Sequence, residues 1–373
     1  MKLRKGLFML CAGLSLCACS SDDGNQFPEG NGIVEVRIVP PTSARSIVTG
    51  TSGSNNDKIQ ISGTYTVTLT AASITDGNGA TRTFTQTVYS SQSTNTVTFT
   101  GVKNPTKVTV TLNNGSADYK ETGIATLNGE DKLANNAPAY GETTTFTPGA
   151  AVDNVITYAA SVQMAIPIAR LEIGDIYYSP EVSTIFQDLT VGGVYLDKLR
   201  TQGSKYSNGA FEAQTTEVND YKYSGSNGSG DNHVLGDAVT SVNFISTDGE
   251  GVKSANTTSR LPGDSKVYAY NFYGATVGSN ATGSNPHFKI YFSSTQLTSE
   301  ANPVERYAMI TSYNTDGSTP ITLENGKIYK VTAIALDDKY IVSDEENNTT
   351  YNVSVTVTEA RWTIQEVNGS WAQ

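Results

Sequence analysis

Three observations predict an all-β fold. Charged residues make up only 16% of the 373, while Gly numbers 34 and Tyr 20. Apolar residues alternate with threonine at a period of two in several short runs, as in Tyr65-Thr66-Val67-Thr68-Leu69 and Val108-Thr109-Val110-Thr111-Leu112. Turn-forming Gly, Asn, Asp and Pro separate those runs at the spacing of a β-sandwich or barrel. No helical periodicity of useful length competes with this pattern.

Residues 1–20 have the layout of a secretory signal. Lys2, Arg4 and Lys5 form a positive end, and 7–16 is an apolar run too short for a permanent membrane span. All three cysteines, Cys11, Cys17 and Cys19, fall here. Leucine precedes the first two, whereas Ala18 precedes Cys19, and a lipoprotein signal peptidase needs a small residue there. The stretch resembles a bacterial lipobox, which implies acylation of Cys19. Ser20-Ser21-Asp22-Asp23 resembles the surface-export signal of Bacteroidetes lipoproteins. The plain alternatives are a signal cut near Ala18 and a solvated tether.

Beyond Cys19 the chain has no cysteine, so internal disulfides and thiol catalysis are excluded. The 25 basic side chains are outnumbered by 36 acidic ones, and losing the first residues would make the balance more acidic. That argues against a nucleic-acid partner, which calls for a basic footprint. Two histidines, His233 and His287, are too few for a histidine cluster.

The first strand is expected over Gly32–Val39, where Ile33, Val34, Val36, Ile38 and Val39 surround Glu35 and Arg37. Pro40-Pro41 ends it, because proline cannot donate to a ladder. A polar stretch, 42–57, follows. Asp76-Gly77-Asn78-Gly79 predicts a hairpin turn between 71–74 and 84–88. Val97 and Phe99 mark a further strand. Residues 150–173 are the most apolar beyond the leader, and the domain junction is placed there. Ser179-Pro180-Glu181 has the capping residues of a short helix through Phe186 and Leu189. Residues 202–260 read as long decorated loops, with Val234-Leu235 and Val242-Phe244-Ile245 as their buried points. Strands resume around Val267–Phe272, Phe288–Phe292, Tyr307–Ile310, Ile328–Leu336 and Tyr351–Val357. The sequence ends with Trp362, Ile364, Val367 and Trp371.

Nothing in the sequence supplies a catalytic, metal or cofactor site. Asp337-Asp338 and Asp344-Glu345-Glu346 read as solvated turns rather than a glycosidase pair or a Ca²⁺ loop. His287, beside Pro286 at a strand start, reads as an edge marker. The tyrosines at strand spacing read as sheet packing rather than sugar platforms.

Four features together resemble the FimA-like major fimbrillins of type V fimbriae in Bacteroidales. They are the lipobox at Cys19, the apolar strand 33–39 followed by a loop with Arg45, the segment Met164-Ala165-Ile166-Pro167-Ile168-Ala169-Arg170-Leu171, and the carboxy end. That end comprises Asn325-Gly326-Lys327-Ile328-Tyr329, the strand of Val353, Val355 and Val357, and Trp362 to Trp371. The resemblance implies two tandem transthyretin-like β-sandwich domains. Its organisation would be a signal peptide over 1–18, a propeptide with a removable strand over 19–45, an N-terminal sandwich over 46–162, and a C-terminal sandwich with a donor-strand tail over 163–373. It implies a precursor held by lipid in the outer membrane and then cut by an arginine-specific protease. Arg45 and Ser46 flank the expected cut; Arg37 lies inside a strand and Lys58 is not an arginine. Removal of Ile33, Val34, Val36, Ile38 and Val39 would open a slot for a neighbour's donor strand, carried by Trp362, Ile364, Val367 and Trp371. The implied role is a non-enzymatic shaft subunit of a cell-surface fimbria that supports adhesion, with identical or related subunits as partners. A tip adhesin, an anchor subunit and a glycan-binding lipoprotein are the alternatives.

Overall fold

Alternation of Val34, Val36 and Ile38 with Glu35 and Arg37 gives β1, Gly32–Val39, whose buried side chains all point one way. The computed structural model describes residues 32–39, 58–61, 65–75, 81–90, 96–112, 120–126, 132–133, 138–199, 205–207, 210–212, 235–263, 266–275, 285–315, 319–343, 351–354, 356–359 and 361–364.

Two four-stranded sheets enclose the first core. One runs β10 (Thr147–Pro148), β11 (Thr157–Gln163), β1, β5 (Thr96–Val102). The other runs β4 (Thr81–Ser90), β3 (Tyr65–Thr75), β6 (Pro105–Leu112), β9 (Ala139–Thr143). Val34, Val36, Val97, Phe99 and Val162 face Val67, Leu69, Val108 and Val110 across it. The valines go inward and the threonines outward, as period two demands. β3 and β4 pair antiparallel through Ala71↔Phe84 and Thr75↔Thr81, as the expected hairpin requires; its turn lies outside the described residues.

Two five-stranded sheets enclose the second core. One is β24 (Thr356–Glu359), β22 (Lys327–Leu336), β12 (Ile168–Tyr178), β19 (Lys266–Tyr273), β7 (Lys120–Thr126). The other is β16 (Leu235–Asn243), β13 (Phe186–Asp197), β20 (His287–Leu297), β21 (Val304–Asn314), β23 (Tyr351–Ser354). Its core joins Leu171, Ile173, Tyr270 and Val331 to Val191, Val194, Phe288 and Ile290. The architecture is thus all-β, with two sandwiches, and tyrosines such as Tyr178, Tyr195, Tyr270 and Tyr329 are buried within it. β7 comes from a stretch that lies between first-sandwich strands, yet it closes the second sandwich's sheet against β19. Three short pieces complete the set: the hairpin of β14 (Lys205–Ser207) and β15 (Ala210–Glu212), the hairpin of β17 (Ile245–Thr247) and β18 (Lys253–Ala255), and a parallel trio of β25 (Arg361–Ile364), β2 (Lys58–Ile61) and β8 (Lys132–Leu133).

Three expectations are corrected. No helix opens at Ser179: residues 181–183 are bends and β13 begins at Phe186. A register shift between Phe186 and Asp188 puts buried Phe186 and Leu189 three apart, which mimics a helical spacing. His287 marks no edge, because β20 lies between β13 and β21. The 202–260 stretch is not only loop: β16 forms the edge strand beside β13, and Phe244 and Ile245 are buried as expected. The acidic spot at Asp337-Asp338 is a turn, with Asp337 capping a 3₁₀ turn over Asp338–Tyr340 and Asp338 accepting from the Tyr178 hydroxyl.

The joint between sandwiches is tied on both sides. The Met164 N–H donates to the Val39 carbonyl at 2.9 Å, and Ala165 and Tyr140 exchange backbone bonds at 2.8 and 3.0 Å. The Gly274 N–H reaches the Pro167 carbonyl and the Gly326 N–H that of Ile168. Ile168 belongs to the first core and Ala169 to the second. Arg170 and Glu172, on the face of β12 away from the second core, form a buried pair at 2.7 Å. Removing one partner would strand a buried charge.

Gly141 on β9 carries a specific packing demand. A Cβ there would lie 2.5 Å from the Gln163 carbonyl oxygen and 2.7 Å from Val162 Cγ1. Gly141→Ala is expected to cost ~1–3 kcal/mol by overpacking, read as a lower Tm by calorimetry. On the same strand, the Lys107 ammonium 2.7 Å from Glu142, with a further bond from Tyr140, holds the Glu142 carboxyl below its ordinary 4.5. A depressed carboxylate stabilises above its unfolded pKa and loses that contribution as pH falls through the folded value. Glu142→Gln should therefore flatten the stability profile below pH 4.5 by ~0.2–1 kcal/mol, the worth of a surface pair, in urea titrations from pH 6 to 3.

Candidate functional site

β1 occupies an interior position where a strand normally has no freedom to leave. It pairs parallel with β11 from Ile33↔Thr157 to Val39↔Gln163. It pairs antiparallel with β5 from Gly32↔Val102 to Arg37↔Thr96. Val34, Val36 and Ile38 are 0%, 0% and 1% exposed, so the strand fills three consecutive pockets of the first core. Ile33 and Val39 are half-buried, and Glu35 and Arg37 are exposed on the outer face. Burial of three such side chains is worth ~4.5–9 kcal/mol gross.

The pockets have a defined size and a defined start. They hold β-branched side chains at alternate positions, which fit a pleated surface. At the entry, Gly32 lies so close to Val102 that a Cβ would press on its carbonyl oxygen, with Tyr158 at 3.3 Å. Any strand seated in this register needs a residue without bulk there. The sequence carries one sign of that demand, a glycine opening an apolar alternation. The bond from Met164 to Val39, which ties the strand's far end to the inter-sandwich joint, left no sequence signal at all.

Removal of β1 would leave β11 and β5 each with an unpaired backbone edge and would open the core between them. Such an edge is a template for another strand. Among the described residues no group of His, Cys, Asp and Glu could hold a metal ion.

The expected strand residues Ile33, Val34, Val36, Ile38 and Val39 are thus together in one slot. Trp362 and Ile364 lie on β25, paired in register with Ile59 and Ile61 of β2. Cys19, Arg45, Ser46, Val367 and Trp371 lie outside the described residues. Val353 is on β23, beside β21, and Val357 is on β24, beside β22, so that segment crosses from one sheet of the second sandwich to the other.

No protein-family model and no curated protein matches the chain. Solved structures do. A candidate cell adhesion protein of Bacteroides eggerthii aligns over 92% of this chain and 100% of its own, with 18% identity and a TM-score of 0.45. A fimbrilin (FimA) of Porphyromonas gingivalis aligns over 90% and 99%, with 12% identity and a TM-score of 0.43. The tip fimbrial protein Mfa3 of the same organism, truncated at its C-terminus, aligns over 89% and 100%, with 10% identity and a TM-score of 0.37. A fimbrilin thus stands among the structures this chain is similar to. Likeness at this level decides nothing about function, which has to be argued from the slot.

Val36→Asp should bury a carboxylate between β11 and β5 with no partner charge. A loss of ~3 kcal/mol or more is expected, against less than ~0.5 for Glu35→Gln on the exposed face. Urea unfolding of the two variants beside the parent protein measures both.

Proposed function

We propose that this chain is a structural shaft subunit of a cell-surface fimbria, polymerised by strand exchange after proteolytic loss of β1. The observation that carries the reading is the placement of β1: an interior, three-pocket strand followed in sequence by Pro40-Pro41 and then Arg45. An ordinary core strand needs no cleavable residue on the connection after it. A strand meant to be removed does, and its vacancy offers backbone edges and apolar pockets that only another strand satisfies. A head-to-tail contact of that kind does not close on itself and grows into a filament.

In this reading the precursor is exported as a lipoprotein acylated at Cys19 and anchored in the outer membrane. An arginine-specific protease cuts between Arg45 and Ser46. The donor lies within residues 351–373. Val353 and Val357 lie on strands of the second sandwich's own two sheets, beside β21 and β22, so the expected single strand through both is split and that part is committed to its own subunit. Trp362, Ile364, Val367 and Trp371 are the donor residues in this reading; they offer a large apolar surface and are bulkier than the residues they would replace.

Treatment of the purified precursor with an arginine-specific protease should produce a chain beginning Ser46-Ile47-Val48 and filaments visible by electron microscopy. Arg45→Ala should block both. Filaments from uncut Arg45→Ala protein would overturn the reading. Deleting residues 361–373 should give folded, correctly cut monomers that do not assemble. Filaments from that truncation would show that the tail is not the donor, and a truncated chain that fails to fold would show that the tail is an ordinary closing strand of its own subunit.

A further inference from the structure

Among the described residues the arginines lie on strands, with one exception. Arg37 is on β1, Arg82 on β4, Arg170 on β12, Arg306 on β21 and Arg361 on β25, whereas Arg260 lies in the connection between β18 and β19. The difference matters to a protease, whose cleft takes its substrate as an extended segment and pairs with the backbone. A strand residue already spends its backbone groups on its neighbours; a residue between strands need not. Arg170 and Arg306 are buried as well. By its place in the chain, Arg260 is therefore the described arginine most open to an enzyme that cuts after arginine.

Its surroundings close that opening. The guanidinium carbon lies 4.0 Å from the centroid of the Tyr177 ring, a cation–π stack, and one terminal nitrogen donates to the Ser259 carbonyl at 3.2 Å. Tyr177 is half-buried on β12. On the other side of the peptide bond, Leu261 packs in the second core and exchanges both backbone bonds with Ile176, at 3.0 and 2.8 Å. Upstream, the Asn256 N–H donates to the Phe244 carbonyl and the Ser259 hydroxyl to that of Asn243. Cleavage after Arg260 thus awaits a local opening, and its rate follows the population of the open form. The guanidinium has to leave the Tyr177 ring before it can enter any acidic pocket, so the stack restrains the step on which recognition depends.

We propose that Arg260 is a latent cleavage site for the arginine-specific protease that matures the chain, kept silent by the stack of its guanidinium on Tyr177, so that the maturing cut is confined to the connection after β1. The proposal rests on the maturation reading. A cut after Arg260 would part β18 from β19 and interrupt the chain within the second sandwich, where β19 lies between β12 and β7.

The test treats the purified full chain with an arginine-specific protease beside three variants: Tyr177→Leu, Tyr177→Phe, and Tyr177→Leu combined with Arg260→Lys. Fragments are identified by amino-terminal sequencing and mass spectrometry. The parent and Tyr177→Phe should be cut after Arg45 and stay intact at Arg260. Tyr177→Leu keeps an apolar side chain but no ring. It should release a fragment beginning Leu261-Pro262-Gly263 at a rate about tenfold above the parent's, and Arg260→Lys should abolish that fragment. Equal rates of its release from Tyr177→Leu and the parent, whether both fast or both nil, would overturn the proposal. So would cleavage of Tyr177→Leu after Arg170 and Arg306 at the same rate, the mark of general unfolding. A parent cut nowhere in residues 40–57, with Tyr177→Leu still cut after Arg260, would instead sink the maturation reading and leave the Tyr177 restraint standing.

Discussion

Every backbone N–H and C=O inside a sheet has to find a partner, and β1 sits where that requirement is strictest. Its two neighbours supply ladders on both sides, one parallel and one antiparallel. No water can replace those bonds at buried positions without cost. The first sandwich is consequently a set of strands arranged around one segment, and its integrity depends on that place being filled by something with the geometry of β1. What fills it is a matter of side-chain size at three alternate positions and of an unencumbered entry beside Val102.

The second sandwich depends on the first in a less obvious way. β7 leaves the neighbourhood of β6 to pair with β19, while Tyr273 and Ile328 of the second sandwich's strands lie in the first core. The first stretch of chain thus lends a strand to the second sandwich's sheet, and the second sandwich lends two side chains to the first core. A change in the first sandwich cannot be confined there, since β11, the neighbour of β1, runs straight into the tied residues 164–168.

Much of this was legible because the local and the global preferences agree. Where Val and Thr alternate, as in β3, β5 and β6, one face is buried and the other is not, and the sequence states the pattern openly. The hairpin at 71–84 had a strong turn to declare it. Legibility failed where one of these cues was missing. The bulge before Leu189 changed a period of two into an apparent three. β16 offered little periodic signal because a register shift between Val242 and Ala238 interrupts its pairing with β13, and the two valines that pack against the second core, Val239 and Val242, stand three apart. Strands made from distant parts of the chain, β7 on β19 and β25 on β2, carry no sign of their partners in their own residues. The slot residues were readable as an apolar strand, but their interior place in the sheet was not, because neighbour order is a long-range property.

The tied joint has a mechanical side. Met164 and Ala165 bond to the first sandwich, Pro167 and Ile168 receive bonds from the second, and two successive residues, Ile168 and Ala169, anchor in different cores. That leaves no slack residue to act as a pivot. Load applied along the chain axis passes from one sandwich to the next through hydrogen bonds and packed side chains rather than through a swinging tether. In a fibre assembled from such units, bending would fall at the contacts between subunits rather than at the tied joint within each one.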